Sequence, residues 1–212
     1  MIRVVIADDH TILRDGLRQL LAAERDIEVA AEAADGHEAL ARVREVEFDV
    51  LLLDMSMPGK AGIELIKQVK SERPKLRVLV LSMHEETQYA VRAIKAGASG
   101  YVTKDSAGTQ LVTAIRRVAA GGAFVTPEVA EQLALGAMPG AEGPPHELLS
   151  DREFEVFQRL VAGETVTAIA ARLNLSGKTV STHKARLMEK LGIGNQADLV
   201  RYAMRHGLSK ES

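Results

Sequence analysis

Two spacings of hydrophobic residues alternate along the first 121 residues of the chain. Short runs rich in Val, Ile and Leu have the length of buried strands, and longer segments repeat apolar residues at three- and four-residue steps, as amphipathic helices do. The predicted strands are Arg3–Ala7, Glu28–Ala33, Val50–Asp54, Val78–Ser82 and Gly100–Thr103. The predicted helices are Ile12–Glu24, Ala39–Val46, Ile63–Glu72, Thr87–Ala96 and Ala107–Ala120. This alternation indicates a doubly wound, five-stranded parallel sheet with helices on both faces.

The strand pattern stops after this region. A short helix is predicted at Pro127–Leu135, and a linker rich in glycine and proline follows at residues 136–145, a composition that cannot bury a core. Beyond the linker only helical spacing remains. The four predicted helices are Asp151–Ala162, Val166–Leu173, Gly177–Leu191 and Gln196–His206. Ser150, followed by Glu153, and Ser176 are suitable N-caps for the first and third of them. The chain is therefore predicted to contain two domains.

Composition agrees with an ordinary globular protein. The 212 residues are 46% hydrophobic and include no cysteine, which excludes disulfides and thiolate metal sites. From Leu148 onward there are 10 Lys and Arg against 7 Asp and Glu, whereas the preceding part has 17 against 22. The basic C-terminal part suggests a polyanion partner. No apolar run approaches the roughly 20 residues that span a bilayer, and the N-terminus does not have the pattern of a signal peptide, so we expect a cytoplasmic protein.

Acidic residues follow two of the predicted strands. Asp8 and Asp9 come directly after the first strand and Asp54 ends the third, while Ser82 and Lys104 come at the ends of the fourth and fifth. Ligands of parallel α/β sheets collect at the carboxyl ends of the strands. Clustered carboxylates with open coordination positions suit Mg²⁺, and Lys104 and Ser82 could bind phosphoryl oxygens. The pattern predicts metal-assisted phosphoryl transfer to Asp54 as nucleophile.

Each of these residues also has an ordinary structural explanation when it is considered alone. A pair of aspartates at a strand end is commonly a solvated turn or a helix cap, and a lysine there is commonly a surface residue. His10, next to the acidic pair, is interpreted as an exposed residue at a helix start rather than as a catalytic histidine. The functional interpretation depends on all the residues occurring at the same end of the correct strands.

Residues 1–121 resemble the receiver domain of bacterial response regulators, specifically those of the NarL/FixJ group, which has a flavodoxin-like fold. The matching segments are Val5–His10, Leu52–Gly59, Leu81–His84 and Ala96–Asp105. The resemblance implies that Asp54 accepts a phosphoryl group from a sensor histidine kinase. It further implies that Mg²⁺ is bound by Asp8, Asp9, Asp54 and the backbone carbonyl of Ser56. Ser82 and Lys104 would bind the phosphoryl oxygens, and Tyr101 would be the switch aromatic.

The third C-terminal helix, Gly177–Leu191, combines an apolar face with a polar, basic one. Val180, Leu187 and Leu191 recur at helical spacing, with His183 or Lys184 between them, and no acidic residue precedes Glu189. A short turn joins it to the helix before. This arrangement suits a helix-turn-helix that enters the DNA major groove. By charge alone, an ordinary amphipathic helix with solvated charges is the favoured explanation.

Residues 148–207 resemble the LuxR-type four-helix DNA-binding domain. The matching segments are Leu149–Glu153, Val161–Gly163, Ile169–Leu173, Ser176–His183 and Lys190–Gly192. The resemblance implies that the third helix reads bases. Ser181, Thr182 and Ala185 would face the groove, Lys178, Lys184, Arg186 and Lys190 would contact phosphates, and Thr179 also belongs to the predicted interface. The sequence departs from the family pattern at residues 165–168, where a lysine that could contact phosphate is absent.

The chain is thus predicted to be a two-component response regulator with a receiver domain at 1–121, a linker with a short helix at 122–147, and a helix-turn-helix domain at 148–212. Phosphorylation would shift homodimerisation and promoter binding, and RNA polymerase is a further possible partner. Leu199, Val200 and Ala203 on the last helix are interpreted either as a dimer contact or as core. Two other functions stay open: a constitutive DNA-binding regulator with a vestigial receiver, and an aspartyl-phosphate phosphotransferase. Ser56 argues against the latter, because a carboxylate would be needed there as general acid.

Overall fold

The computed structural model describes residues 1–57, 62–83, 87–137 and 144–208. It divides into two compact units, Met1–Glu131 and Gln132–Ser212, and each is described by itself. Several positions used above lie outside the described residues. They are Pro58, Gly59, His84, the predicted linker residues 138–143 and the last four residues, 209–212. Within the described ranges, no helix combines the length and the hydropathy that crossing a membrane requires.

A five-stranded parallel sheet forms the centre of the first unit, as predicted. The strands are β1 (Ile2–Ala7), β2 (Ile27–Ala33), β3 (Val50–Asp54), β4 (Arg77–Ser82) and β5 (Gly100–Thr103). Their spatial order is β2-β1-β3-β4-β5 and every pairing is parallel. Chain order therefore reverses between β1 and β3, and ligands of doubly wound sheets bind at such a reversal. The last residue of β3 is Asp54, and Asp8 directly follows β1.

Five helices cover the sheet at nearly the predicted positions. They are α1 (Thr11–Ala22), α2 (Gly36–Glu45), α3 (Gly62–Glu72), α4 (Thr87–Lys95) and α5 (Ala107–Ala119). Alternate residues of the central strands pack against α1 and α5, because successive side chains of a strand point to opposite faces. Ile6, Leu52 and Leu81 contribute to this core together with Leu21 and Leu111. Strand-end polar groups are thereby held on a rigid scaffold.

Gly100, at the start of β5, is a position where the backbone passes too close to its neighbours for a side chain. A Cβ atom there would lie 2.9 Å from both Leu79 Cδ1 and the carbonyl oxygen of Phe124. Phe124 forms a parallel bridge with Gly100, and its carbonyl accepts a hydrogen bond from the Tyr101 amide at 2.8 Å. The segment after α5 is therefore packed tightly onto the sheet edge.

We expect Gly100→Ala to destabilise the first unit by about 1–3 kcal/mol, the usual effect of overpacking. The measurement is thermal unfolding followed by circular dichroism. Gly108→Ala is the matched control, because nothing lies within 4 Å of its added Cβ in α5. This control should be neutral or more stable by up to about 1 kcal/mol. Equal transition temperatures for the two variants would contradict the close-approach argument.

The second unit is helical. The described elements are α6 (Pro127–Gly136, which spans the boundary between the units), a 3₁₀ helix (Pro145–Leu148), α7 (Asp151–Val161), α8 (Val166–Leu173), α9 (Gly177–Leu191) and α10 (Gln196–Arg205). Ser150 caps α7 in the predicted capping box with Glu153, and Ser176 caps α9 by accepting a hydrogen bond from the Thr179 amide. Asn174, in the left-handed conformation at φ 53°, ends α8 and begins the turn into α9.

The 3₁₀ helix was not predicted, since its residues follow a run of glycine and proline. His146 is 2% exposed, and its Nδ1 lies 3.0 Å from the Tyr202 hydroxyl on α10. Its ring also contacts His206 edge to face. Residues just before Leu148 are therefore part of the packed C-terminal unit.

Candidate functional site

The ends of β1, β3 and β5 bring two aspartates and a lysine into direct contact. Lys104 Nζ lies 2.7 Å from Asp8 Oδ2 and 2.9 Å from Asp54 Oδ2. Both carboxylates are fully buried and the lysine side chain is only 6% exposed. A buried charge is tolerated only when it is paired, so one ammonium stabilises both carboxylates.

Burial and ion pairing have opposite effects on the pKa values of the residues in this cluster. Burial raises the pKa of Asp54 above its ordinary value of 3.8, and the close contact with the Lys104 ammonium offsets this only in part. Burial by itself would lower the pKa of Lys104, but its contacts with the Asp8 and Asp54 carboxylates outweigh burial and raise that pKa. Lys104 is therefore firmly cationic, whereas Asp54 has a raised proton affinity.

Backbone contacts link the neighbouring loops to this cluster. The Ser56 amide donates to Asp54 Oδ1 at 3.0 Å, which fixes the orientation of that carboxylate. The Lys104 amide donates to the Ser82 carbonyl at 2.8 Å, so the ends of β4 and β5 are joined. Ser82 is fully buried, and Tyr101 is 6% exposed, opposite Val80 in the sheet. The roles predicted for Ser82, Tyr101 and the Ser56 carbonyl stay predictions.

The acidic cluster has the donor set of a divalent-cation site. Ligand atoms of Asp8, Asp9, His10 and Asp54 all lie within 4.8 Å of one another. Two buried oxygens, Asp9 Oδ1 and Asp54 Oδ2, accept no hydrogen bond from any residue the structure describes. Their close contacts to His10 and Lys104 are ionic pairs without hydrogen-bond geometry. Carboxylate oxygens are the ligands that Mg²⁺ prefers, so this donor set fits the ion.

Helix α9 divides into the two predicted faces. Val180, Leu187 and Leu191 are buried against the other helices. His183 and Lys184 are half-buried, as is Thr179. The exposed residues include most of the predicted DNA contacts: Lys178, Ser181, Thr182, Ala185, Arg186 and Lys190. The Thr182 hydroxyl also donates to the Lys178 carbonyl one turn earlier at 3.0 Å. A polar surface bearing cations therefore follows a short turn, as in a helix-turn-helix.

Lys190 has an intramolecular role that the sequence did not indicate. Its Nζ donates to Glu153 Oε2 at 2.6 Å and to the Leu148 carbonyl at 3.2 Å. Glu153 is nearly buried, and its carboxylate also accepts from the Ser150 amide at 2.8 Å. The pair thus connects the last turn of α9 to the first turn of α7. A phosphate contact by Lys190 would have to compete with this pair.

We expect Glu153→Gln to loosen α7 and α9 by about 1–2 kcal/mol, from loss of a buried charged hydrogen bond. This corresponds to roughly 5–30-fold faster amide exchange, measured by hydrogen–deuterium exchange mass spectrometry. Burial raises the pKa of Glu153, but bonds from Lys190 and Ser150 outweigh burial and lower it below its usual 4.5. A carboxyl whose pKa is lowered by folding stabilises the folded protein at pH values above its unfolded-state pKa. The difference in exchange rate between Glu153→Gln and wild type should therefore shrink as the pH falls below about 4.5. Glu155→Gln, at a more exposed ion pair, is the control; equal effects would contradict this role for Glu153.

Helix α10 places its apolar residues inward. Leu199 and Ala203 are fully buried and Val200 is half-buried, so the core interpretation holds for the first two. The exposed side carries Met204, which is 64% exposed, and Arg201. A dimer contact through this helix would therefore use its other face.

Comparison with known families agrees with both units. Residues 4–116 match the response regulator receiver domain, and residues 147–203 match the luxR family of bacterial regulatory proteins. The chain belongs to the two-component response regulators that combine these two domains.

Full-length relatives share this organisation. The chain is 38% identical over 209 residues to the response regulator GacA of Pseudomonas viridiflava, covering 98% of each chain. It is 35% identical over 209 residues to the response regulator UvrY of Escherichia coli, covering 98% of this chain and 96% of the relative. Among solved structures, RcsB of Salmonella typhimurium matches with a TM-score of 0.74 and 30% identity over 99% of this chain and 98% of that one. RcsB bound to promoter rprA in the presence of BeF3⁻ matches with a TM-score of 0.69 and 32% identity, covering 96% and 99%.

Proposed function

We propose that Asp54 accepts a phosphoryl group from a sensor histidine kinase in a Mg²⁺-dependent reaction, and that this modification controls promoter binding in the cytoplasm. The observation that carries the proposal is the buried contact of Lys104 with both Asp8 and Asp54 at the carboxyl ends of the strands. A carboxylate that is oriented, buried and paired with a cation has the surroundings of an acceptor in phosphoryl transfer.

In this proposal an Asp54 carboxylate oxygen attacks the phosphorus atom of the donor, and the bond from phosphorus to the donor's imidazole nitrogen breaks. The Ser56 amide keeps the carboxylate oriented through Oδ1. Lys104 and Ser82 bind the phosphoryl oxygens. Mg²⁺, held by Asp8, Asp9, Asp54 and the Ser56 carbonyl, would neutralise charge on the transferring group.

Phosphorylation changes the charge that Lys104 must balance. A phosphoryl group adds about −1.5 to −2 charges and three acceptor oxygens. Lys104 and Ser82 follow those oxygens together, because the Lys104 amide is bonded to the Ser82 carbonyl. Inward movement of these strand ends opens space for Tyr101 and biases the surface used for homodimerisation.

The output is sequence-specific binding of promoter DNA through α9. Ser181, Thr182 and Ala185 face the major groove, and Lys178 and Arg186 contact phosphates. Thr179 and Lys184, which are half-buried, also belong to the proposed DNA interface. A small domain offers few contacts, so two copies bind paired half-sites on the DNA. The half-sites are separated by about one helical turn (roughly 34–36 Å) or by a multiple of it. Contact with RNA polymerase would complete a transcriptional role.

Lys178→Ala should weaken binding on every duplex and lower the slope of log affinity against log salt by about 0.9, because one phosphate contact is lost. The measurement is fluorescence anisotropy at several salt concentrations, on a duplex selected from a random library and on an unrelated duplex. Lys75→Ala, an exposed lysine in the first unit, is the charge-matched control. An unchanged slope for Lys178→Ala would remove this residue from the interface.

The proposal is tested by comparing the DNA affinity of wild type and Asp54→Asn with and without acetyl phosphate and Mg²⁺. We expect the donor to change affinity and dimerisation of the wild type alone. If neither protein responds and both bind DNA, the constitutive regulator with a vestigial receiver is the better explanation. Multiple turnover of a model phosphate ester would instead support a phosphotransferase.

A further inference from the structure

Arg14, in the first turn of α1, connects three parts of the chain beside the acidic cluster. Its Nη1 donates to the backbone carbonyl of Asp8 at 2.5 Å, and its Nε donates to Glu32 Oε2 on β2 at 3.3 Å. The side chain is only 14% exposed. We propose that Arg14 is a positioning residue for phosphoryl transfer, which directs the Asp9 carboxylate into the acceptor site by holding the peptide that joins Asp8 to Asp9. This inference rests on the proposed function and adds to it a residue that touches neither metal nor phosphoryl group.

The contact with Asp8 fixes a peptide plane. A peptide group is planar, so the direction of the Asp8 carbonyl also sets the direction of the Asp9 amide in the same plane. The Asp8 amide is held independently, because it donates to the Ala33 carbonyl of β2 at 3.1 Å. Residue 8 is thus bonded on both sides, and the bond on the side of Asp9 comes from Arg14.

The Asp9 carboxylate depends on its backbone for its position. One of its oxygens lies within 4.8 Å of oxygens of Asp8 and Asp54, as a shared role in binding Mg²⁺ requires. Yet its Oδ1 accepts no hydrogen bond from the residues that the structure describes, and its ionic neighbour, His10, is 63% exposed. An exposed ion pair holds a side chain only weakly. Rotation of the peptide before Asp9 would therefore move this carboxylate away from Asp54.

A guanidinium suits this position better than an ammonium does. Arginine presents its N–H groups in a rigid planar fork, whereas lysine carries a point charge on a flexible stem. Because Glu32 holds Nε, the adjacent Nη1 is directed at the Asp8 carbonyl. Arg14→Lys keeps the positive charge near the acidic cluster but lacks this fork. The substitution therefore separates the geometric role from a purely electrostatic one.

Arg18 provides a matched control on the same helix. It lies one turn later, its side chain is 53% exposed, and it pairs with Asp15 at 2.7 Å. Its Nε also lies 3.9 Å from the Glu32 carboxylate, so it shares one partner with Arg14. Arg18→Met removes one positive charge from the same network, while the bond from Arg14 to the Asp8 carbonyl stays in place.

The first measurement is the initial rate of phosphorylation by acetyl phosphate as a function of Mg²⁺ concentration, for full-length wild type, Arg14→Met, Arg14→Lys and Arg18→Met. We expect Arg14→Met to need about tenfold more Mg²⁺ for half the maximal rate, since loss of a group that orients a metal ligand weakens metal binding by about 10–100-fold. Its rate at saturating Mg²⁺ should stay within about threefold of wild type, because the acceptor itself is unchanged. Arg14→Lys should recover part of the difference, and Arg18→Met should match wild type.

The second measurement uses neither metal nor phosphodonor. Amide NMR spectra of the metal-free proteins should show displaced or broadened signals for Asp9 and His10 in Arg14→Met but not in Arg18→Met. Thermal unfolding sets an assay temperature at which every variant is folded, so a raised Mg²⁺ requirement cannot come from unfolded protein. A changed Asp9 signal together with a raised Mg²⁺ requirement supports the positioning role.

Equal Mg²⁺ requirements for Arg14→Met and Arg18→Met would overturn the proposal, as would an unchanged Asp9 signal in Arg14→Met. Full recovery by Arg14→Lys would also overturn it, because charge alone would then suffice. If Arg14→Met does not fold, Arg14→Lys decides, and a Mg²⁺ requirement equal to that of wild type contradicts the positioning role. If wild type is not phosphorylated at any Mg²⁺ concentration, the proposed function fails instead, and the metal-free NMR comparison still decides whether Arg14 holds Asp9.

Discussion

Replacing Lys104 by alanine is expected to lower the free energy of unfolding by about 3 kcal/mol in metal-free buffer at neutral pH, the usual result of removing one partner from a buried ion pair. Lys104 is the cation in contact with both Asp8 and Asp54, at 2.7 and 2.9 Å. Without it, two buried carboxylates repel each other with no ammonium to balance them. Addition of Mg²⁺ should restore part of the loss, because the ion would neutralise the same charges.

The measurement is urea unfolding followed by circular dichroism, with EDTA and then with Mg²⁺. Lys95→Ala, an exposed lysine at the end of α4, should change stability by less than about 0.5 kcal/mol. If Lys104→Ala is no less stable than this control, the ion pair does not offset the cost of burying Asp8 and Asp54. If Mg²⁺ does not restore any of the stability lost in Lys104→Ala, the carboxylates do not form a cation site.

Asp54→Asn is expected to lose phosphorylation completely while folding at least as well as wild type. Asparagine keeps the shape of the side chain and one acceptor oxygen for the Ser56 amide, but it lacks the nucleophilic carboxylate. Lys104 still has Asp8 as a partner. Because Asn carries no charge into the buried site, metal-free stability at neutral pH should rise by on the order of 1 kcal/mol. Lost phosphorylation in a more stable protein cannot be ascribed to unfolding.

The pH dependence of this gain follows from the raised pKa of Asp54. Burial raises its folded pKa above 3.8, so between the unfolded and folded values the folded protein binds more protons. The free energy of unfolding of the wild type therefore falls as the pH rises through that range. Asp54→Asn has no titrating group at this position, so its stability does not change in this way. The stability difference should disappear as the pH falls below 3.8 and should be largest above the folded pKa.

The sheet and the cluster at the strand ends could be predicted from the sequence because each depends on short, local residue patterns. Strands β3 and β5 have the predicted bounds, since continuous apolar runs of this length leave little choice of conformation. Once the sheet is parallel, its topology forces Asp8, Asp54 and Lys104 to one edge. Their direct contact was therefore a consequence of pattern and chain order.

Contacts between distant segments could not be derived in this way. Glu153 and Lys190 are 37 positions apart, and nothing in either helix alone predicts their pairing. The same holds for His146, whose burial depends on Tyr202, and for the inward direction of Leu199 on an amphipathic helix with hydrophobic residues on both sides. The position of the His10 ring depends on the turn conformation, which residue types alone do not specify.

The central claim is that Asp54 is the phosphoryl acceptor, and intact-protein mass spectrometry tests it most directly. Wild type and Asp54→Asn are incubated with acetyl phosphate and Mg²⁺, and with the donor plus EDTA. We predict a single phosphoryl adduct on the wild type that requires Mg²⁺ and is absent from Asp54→Asn. The same adduct on Asp54→Asn would contradict the assignment, and an adduct that forms equally well in EDTA would contradict the role of the metal.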